Sequence, residues 1–108
     1  MKKGGASRSA ARARRSAKQY VLRLYVAGLT PRSRNAIANI TSICEEYLLG
    51  RYDLEVIDVF KRPVLAREEQ IIATPTLVKK LPAPLRRFIG DLSEKEKVLV
   101  GLDVRRQG

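Results

Sequence analysis

The stretch SEKEKVLVGLDV, residues 93–104, fits two different secondary structures. With the two-residue period of a half-buried strand, it places four apolar side chains on one side: Val98, Val100, Leu102 and Val104. With the 3.6-residue period of a helix, Ser93 is the N-cap, Glu96 follows three residues later, and the apolar stripe is Val98, Leu99 and Leu102. The two interpretations fold the C-terminal part of the chain differently, so this stretch decides the architecture.

The preceding stretch, LPAPLRRFIGDL at residues 81–92, is ambiguous in the same way. If residues 93–104 form a helix, PAP is a turn and RRFIGD is a strand. Alternatively, residues 81–92 form a helix and residues 97–104 a strand, because five apolar residues recur at helical spacing: Leu81, Leu85, Phe88, Ile89 and Leu92. A chain with two packings of similar free energy requires each affected segment to fit both structures, and these two adjacent segments exchange helix for strand together. Most segments of this kind settle into one structure, so the pattern alone leaves both arrangements open.

The N-terminal half predicts a single arrangement. Residues 20–27, YVLRLYVA, are apolar on both faces and predict a central strand. Thr30 and Pro31 are a strong helix start, and the helix of about 18 residues should end with Gly50 in a left-handed cap. Its apolar stripe is Ile37, Ile40, Cys44 and Leu48. A second strand is predicted over residues 53–60, which gives a right-handed βαβ unit with parallel strands.

The next segment, residues 61–81, predicts a short helix and a strand. The helix starts at Pro63, buries Leu65 and Ile72, and stops before Pro75, because the residue preceding a proline avoids the α region. TLVKKL at residues 76–81 then forms the strand. With the first interpretation of the C-terminal stretch, the order is β-α-β followed by α-β-β-α. This order predicts an α/β protein with a thioredoxin-like fold.

The charge of the chain is distributed unevenly. The formal net charge is +11, and residues 1–19 hold seven Lys/Arg and no acidic residue, so the remainder has a net charge of +4. Those first 19 residues contain no large apolar side chain after Met1, and we predict a disordered basic extension. Residues 20–104 form the single domain, and residues 105–108 a short tail. Binding of the extension to RNA or DNA is an alternative function.

Several function classes are disfavoured by the composition. No window approaches the run of about 20 apolar residues that a membrane helix needs, and we expect a cytoplasmic protein with no membrane association. With no histidine and one cysteine, Cys44, we expect no metal site, no cofactor and no catalytic residues. The stretch GLTPRSR has no thiol where a thioredoxin carries its C-x-x-C motif, which excludes dithiol redox chemistry. Cys44 itself is predicted to pack in the core.

Four stretches give the chain a resemblance to the KaiB family of clock proteins. They are YVLRLYVAG, the VIDV of residues 56–59, ATPTL at residues 73–77, and the long block LPAPLRRFIGDLSEKEKVLVGLD at residues 81–103. The resemblance implies a metamorphic protein with two forms. One is thioredoxin-like and binds the ATPase KaiC, and the other is a ground-state fold, often tetrameric, in which the C-terminal half is rearranged.

The same resemblance implies a non-enzymatic timing regulator. It would bind KaiC or a KaiC-like ATPase, modulate its phosphorylation and ATPase cycle by fold switching, and form a homodimer or homotetramer when unbound. KaiA and a clock-associated histidine kinase are further partners of the family. The chain departs from the cyanobacterial pattern by its basic N-terminal extension and by ending at VRRQG without an acidic tail. These departures leave open an alternative role as a stress-adaptation module on the same scaffold, without any rhythm.

Five residues are predicted to carry this function. By resemblance, Pro75 is a cis proline, and Arg86 and Arg87 bind a partner, where guanidinium groups can bond carboxylates bidentately. Gly101 and Asp103 lie in the ambiguous segment and are predicted fold-switch residues. Glycine weakens a helix by up to about 1 kcal/mol relative to alanine. Aspartate is unfavourable both in a strand and at a helix C-terminus.

Overall fold

A computed structural model of the protein describes residues 19–104. The predicted basic extension, except for Gln19, and the tail at residues 105–108 lie outside the described residues. The order of elements is β1 (Tyr20–Val26), α1 (Pro31–Tyr47), β2 (Tyr52–Asp58), α2 (Pro63–Glu68), β3 (Thr76–Leu81), β4 (Arg86–Ile89) and α3 (Lys95–Leu102). This is the β-α-β then α-β-β-α order that the first interpretation predicted.

The four strands form one mixed sheet in the order β2-β1-β3-β4. The βαβ prediction is confirmed, because β1 and β2 are parallel with Tyr20 opposite Tyr52. β3 is antiparallel to β1, and β4 is antiparallel to β3. β2 and β4 are therefore the two edge strands, and only β1 and β3 are flanked on both sides.

Helices cover both faces of the sheet, and each face has its own core. α1 and α3 pack on one face around a cluster that includes Leu22, Leu24, Ile40, Leu77 and Leu102. The short helix α2 packs on the other face around Tyr25, Ile57, Ala66 and Val78. Successive residues of β1 alternate between these two cores, which explains why the strand is apolar on both faces.

The start of α1 follows the predicted chemistry. The Thr30 hydroxyl accepts a hydrogen bond from the Ser33 amide at 3.1 Å, and Pro31 occupies the first helical position. The predicted end of the helix was wrong. α1 ends at Tyr47 with Leu48 as its C-cap, and Gly50 has its positive φ of 78° in the turn beyond. Leu48 is fully buried, and the turn that leads to β2 follows this residue.

Two predictions about the middle of the chain were also wrong. β2 ends at Asp58 rather than residue 60, because the Asp58 carboxylate and carbonyl accept hydrogen bonds from the amides of the turn that follows: Phe60, Lys61 and Arg62. Ile72 was expected to be buried, yet it is 91% exposed. The reason is that α2 stops at Glu68 and Gln70 adopts a left-handed φ of 58°, which carries Ile72 past the helix.

The ambiguous segment at residues 93–104 is helical. Val98 and Leu102 are buried and Leu99 packs against the same core, as the helical period predicted. The predicted N-cap was wrong: the cap position is Glu94, with no side-chain hydrogen bond, and the Ser93 amide instead donates to the Asp91 carboxylate at 3.1 Å. Residues 81–92 accordingly form a strand and its flanking turns, not the alternative helix.

Candidate functional site

Three loops with exposed apolar side chains meet at one end of the sheet. The parallel strands β1 and β2 end there, and β3 begins there, since Thr76 lies opposite Tyr25. We call these loops, residues 27–30, 59–62 and 71–75, the loop end. They expose Leu29, Phe60 and Ile72 by 69%, 74% and 91%. Clustered exposed apolar residues of this size are typical of a surface that contacts a partner.

Shallow grooves and positive charge complete the loop end. A groove of about 220 Å³ runs between Val59 and residues 71–74, and another of about 410 Å³ lies along residues 61–65. Arg32 and Arg34 are exposed in the first turn of α1, which has no acidic residue. Cations at a helix N-terminus oppose the helix dipole, so local stability does not explain them. An apolar surface edged by cations suits a partner with apolar contacts and acidic neighbours.

The single thiol of the chain belongs to Cys44. Cys44 is fully buried on α1, and burial, with a smaller contribution from the Glu45 charge, raises the pKa of its thiol to about 12. The thiolate is the reactive form, so this cysteine is inert in the folded state and packs in the core as predicted. Among residues 19–104, no group of three or more metal-ligating side chains is arranged around a common point. None of the helices in this part of the chain has the length and hydropathy to cross a membrane.

Pro75 lies in the last loop of the loop end and is buried. The Thr74–Pro75 peptide bond is cis, the isomer that the resemblance implied, and the bonds before Pro82 and Pro84 are cis as well. The Pro75 carbonyl accepts a hydrogen bond from the Gly90 amide at 2.9 Å. This bond connects the loop before β3 to the loop after β4.

Arg86 and Arg87 lie on β4 and are both exposed. They do not form a single clamp, because successive strand residues point to opposite faces of the sheet. Arg87 is paired with Val78 on the α2 face, where its Nη1 donates to the Gln70 carbonyl at 3.2 Å. Arg86 is paired with Lys79 on the face covered by α1 and α3. The two guanidinium groups therefore extend from the two sides of one sheet edge.

Gly101 and Asp103 lie at the end of α3, and each has a specific structural setting. A Cβ atom at Gly101 would collide with the ring of Phe88 on β4, so the glycine makes room for this ring against the helix. Asp103 is the C-cap of α3 and has a left-handed conformation, with φ 58° and ψ 43°. Aspartate tolerates this conformation better than most residues, but its charge is at the unfavourable end of the helix dipole.

A residue that the sequence analysis did not single out holds the end of α3. The hydroxyl of Tyr20, which is 2% exposed, lies 3.0 Å from the carbonyl oxygens of both Leu102 and Asp103, and its single proton is shared between them. These carbonyls are among the last of the helix and have no partner within it. Tyr20 therefore connects the first strand to the last helix, across more than 80 positions in the chain.

A second group that the sequence did not predict surrounds the Glu69 carboxylate, which is 9% exposed. Lys80 Nζ lies 2.9 Å from one carboxylate oxygen, the Tyr25 hydroxyl donates to it at 3.2 Å, and Arg23 is 3.9 Å away. Burial alone would raise the pKa of Glu69, but the Lys80 hydrogen bond and charge, with the contributions of Tyr25 and Arg23, outweigh it and hold this pKa below the ordinary carboxyl value. The cluster ties α2 to β1 and β3.

Comparison with known proteins gives one family and one fold. A family model described as the KaiB domain matches residues 23–104. Circadian clock oscillator protein KaiB of Thermosynechococcus vestitus is 59% identical over 87 residues, which cover 81% of each chain. Its counterpart from Synechococcus sp. is 58% identical over 87 residues, 81% of this chain and 79% of that protein.

Among solved structures, the N-terminal domain of Synechococcus elongatus SasA is similar, with a TM-score of 0.67 and 26% identity over 85% of this chain and 90% of that domain. The Drosophila melanogaster thioredoxin Deadhead has a TM-score of 0.63 and 18% identity, over 82% of this chain and 85% of that one, a likeness of fold alone. Both likenesses agree with the thioredoxin-like order of elements.

Proposed function

Because the chain belongs to the KaiB family of circadian clock proteins, we propose that it is a cytoplasmic, non-enzymatic timing regulator. It binds a KaiC-like ATPase and modulates the phosphorylation and ATPase cycle of that partner. KaiA and a clock-associated histidine kinase are secondary partners in this proposal. The observation that carries it is the loop end, which combines exposed apolar side chains with nearby cations and lacks the thiols of a thioredoxin active site.

The loop end is the docking surface in this proposal. Apolar anchors near the centre of an interface supply most of its binding free energy, and charges at the rim mainly steer association. Phe60 and Ile72 are the anchors, and Arg32 and Arg34 are the rim cations. The complementary surface on the ATPase would present apolar contacts and carboxylates.

Fold switching is the second part of the proposal. Unbound protein is a homodimer or homotetramer with a rearranged C-terminal half, and the thioredoxin-like monomer is the form that docks. If the competent form is about 1% of the population, the apparent affinity falls about a hundredfold and slow conversion delays binding. Gly101 and Asp103 are the proposed switch residues, because both are poor choices for the helix that they occupy.

Docking is tested by measuring the affinity of a KaiC-like ATPase for point variants. Ile72→Asp and Phe60→Asp should each weaken binding by at least about tenfold. Leu49→Asp is the matched control, because Leu49 is 71% exposed but lies beyond the C-terminus of α1, at the opposite end of the sheet. Equal losses in all three variants, or none, would remove the loop end as the docking surface.

Switching is tested by the rate at which the complex forms. Asp103→Asn removes an anion from the C-terminus of α3 and keeps a residue that tolerates the left-handed conformation, so it should favour the helical form. Complex formation with the ATPase should therefore be faster and no longer limited by a slow unimolecular step. A variant that associates at the wild-type rate, with the same lag, would contradict a switch at this position.

Two further measurements separate the alternatives. A stress-adaptation module would bind the same ATPase, but the phosphorylation state of the ATPase would not oscillate when followed over time. Tail-mediated nucleic-acid binding predicts salt-dependent retention on RNA or DNA that is lost when residues 2–18 are deleted. Retention that is unchanged by this deletion would eliminate that function.

A further inference from the structure

The outer edge of β4 carries backbone groups that are free to pair with another strand. The Gly90 amide donates to the Pro75 carbonyl, so residues 75 and 90 form a hydrogen-bonded pair of the antiparallel ladder. Such pairs alternate with non-bonded pairs, which places Phe88 and Arg86 in bonded pairs as well. The amide and carbonyl groups of Arg87 and Ile89 therefore point away from β3. Within residues 19–104, no other segment pairs with this edge.

The side chains of β4 determine which charge is favourable on a strand that pairs with this edge. Arg86 extends from one face of the sheet and Arg87 from the other, while Ile89 lies on the Arg87 face and is 64% exposed. Two copies of β4 placed edge to edge would bring four guanidinium groups together, and like charges on neighbouring strands are destabilising. The edge thus disfavours its own copy and favours an acidic strand.

We propose that the β4 edge binds an extended acidic segment, which adds to the sheet as an antiparallel fifth strand. This is strand addition to an exposed edge, in which backbone hydrogen bonds supply affinity and side chains supply specificity. The β4 edge adjoins the loop end, where the Gly90 amide bonds to the Pro75 carbonyl, but it binds through a strand rather than through loops. The inference goes beyond docking on the ATPase ring, because it gives the protein a second binding site with a different ligand.

The register specifies a sequence pattern for this segment. An antiparallel segment runs opposite to β4, so, counted from the N-terminus of the segment, the residue opposite Ile89 comes first. The residue opposite Arg87 comes two positions later, and the residue opposite Arg86 follows directly. Side chains that lie opposite each other share a face of the sheet. The preferred segment is therefore apolar, any residue, acidic, acidic. Two consecutive carboxylates meet both arginines because consecutive residues of the bound strand also point to opposite faces.

The acidic edge of a second copy fits this pattern less well. β2 is the other edge strand and carries Asp53 and Glu55, which are both exposed. They are separated by Leu54 and so lie on one face of the sheet. An added β2 strand would offer carboxylates to only one of the two arginines. Glu55 is also already engaged with Arg23 and Arg62.

Fluorescence anisotropy with labelled synthetic peptides tests the inference on the full-length protein carrying Asp103→Asn, which should favour the thioredoxin-like form that contains β4, with no ATPase present. A peptide with valine, threonine, glutamate and glutamate in the four positions should bind. Peptides with lysine in place of glutamate, or with the four positions in reversed order, should bind at least about tenfold more weakly. A failure here leaves the loop end untested, and a failure of ATPase docking leaves this result unchanged.

Two controls separate strand addition from simple charge attraction. Arg86→Glu with Arg87→Glu should abolish binding, whereas Arg67→Glu with Lys97→Glu, which gives the same net charge, should leave it within about twofold. N-methylation of the peptide amide that faces the Arg87 carbonyl removes one ladder hydrogen bond without altering the protein, and it should weaken binding at least about tenfold. An N-methylated peptide that binds normally would overturn the proposal. So would self-association of the protein that is abolished by Asp53→Lys.

Discussion

The hydrogen bonds of Tyr20 predict a specific weakening of the last helix when its hydroxyl is removed. In Tyr20→Phe, the carbonyls of Leu102 and Asp103 lose a shared donor that lies 3.0 Å from each of them, and the contact with Leu102 is buried. A hydrogen bond of this kind contributes about 1 kcal/mol, and leaving a buried acceptor unsatisfied costs about 1–3 kcal/mol. We expect the free energy of unfolding to fall by about 1–3 kcal/mol, as measured by urea denaturation.

The location of the effect distinguishes this prediction from a general loss of packing. Hydrogen exchange of the α3 amides should accelerate more than that of β1 or α1, because the lost bonds hold only the end of α3. Tyr52→Phe is the matched control. The Tyr52 hydroxyl donates to the Glu45 carboxylate at 2.8 Å at an exposed position, and its removal should cost less than about 1 kcal/mol. Equal losses in the two variants, or unchanged exchange in α3, would show that the Tyr20 hydroxyl does not hold the end of this helix.

Three other predictions follow from single contacts. Gly101→Ala raises helix propensity by about 1 kcal/mol, but the added Cβ collides with the Phe88 ring. A double-mutant cycle with Phe88→Ala should therefore give a coupling energy of about 1 kcal/mol or more. Additive effects of the two substitutions would contradict the contact. Iodoacetamide at pH 8 should label Cys44 at least about a hundredfold more slowly in the folded protein than in denaturing urea, because burial raises the thiol pKa to about 12, and equal rates would contradict its burial. Glu69→Gln should destabilise the protein at neutral pH. Because the folded-state pKa of Glu69 is lowered, its contribution to the free energy of unfolding is present above the ordinary pKa of 4.5 and disappears as the pH falls through the lowered value. The urea midpoints of wild type and Glu69→Gln should therefore converge in acid. Glu68→Gln, at an exposed position, should match the wild type at every pH.

The parts of the fold that were predicted correctly depend on signals within a few residues. Thr30 and Pro31 start a helix through one side-chain cap and a fixed φ, and both effects act within one turn. β1 is apolar on both faces because it lies between two cores. The errors lie at element ends, where a left-handed residue such as Gln70 changes the path of the chain without a distinctive sequence signal.

The functional features were harder to predict because they depend on residues that are distant in the sequence. The contact between Tyr20 and the end of α3 and the pairing of Glu69 with Lys80 leave no local pattern. The divergence of Arg86 and Arg87 could have been predicted, since any two consecutive strand residues point to opposite faces. The loop end required the sheet topology, because its three loops come from separate parts of the chain.

The helical form of the ambiguous segment is held mainly by contacts outside the segment. Within α3, Val100 is exposed, Gly101 lowers helix propensity, and Asp103 combines a left-handed conformation with an unfavourable charge. Each of these is a local conflict with the helix, whereas sequences that specify one fold agree at every level. The opposing contributions are the burial of Val98 and Leu102 and the hydrogen bonds from Tyr20. A helix that depends on distant partners in this way can be exchanged for another structure once those partners are lost, which is the physical requirement of the proposed switch.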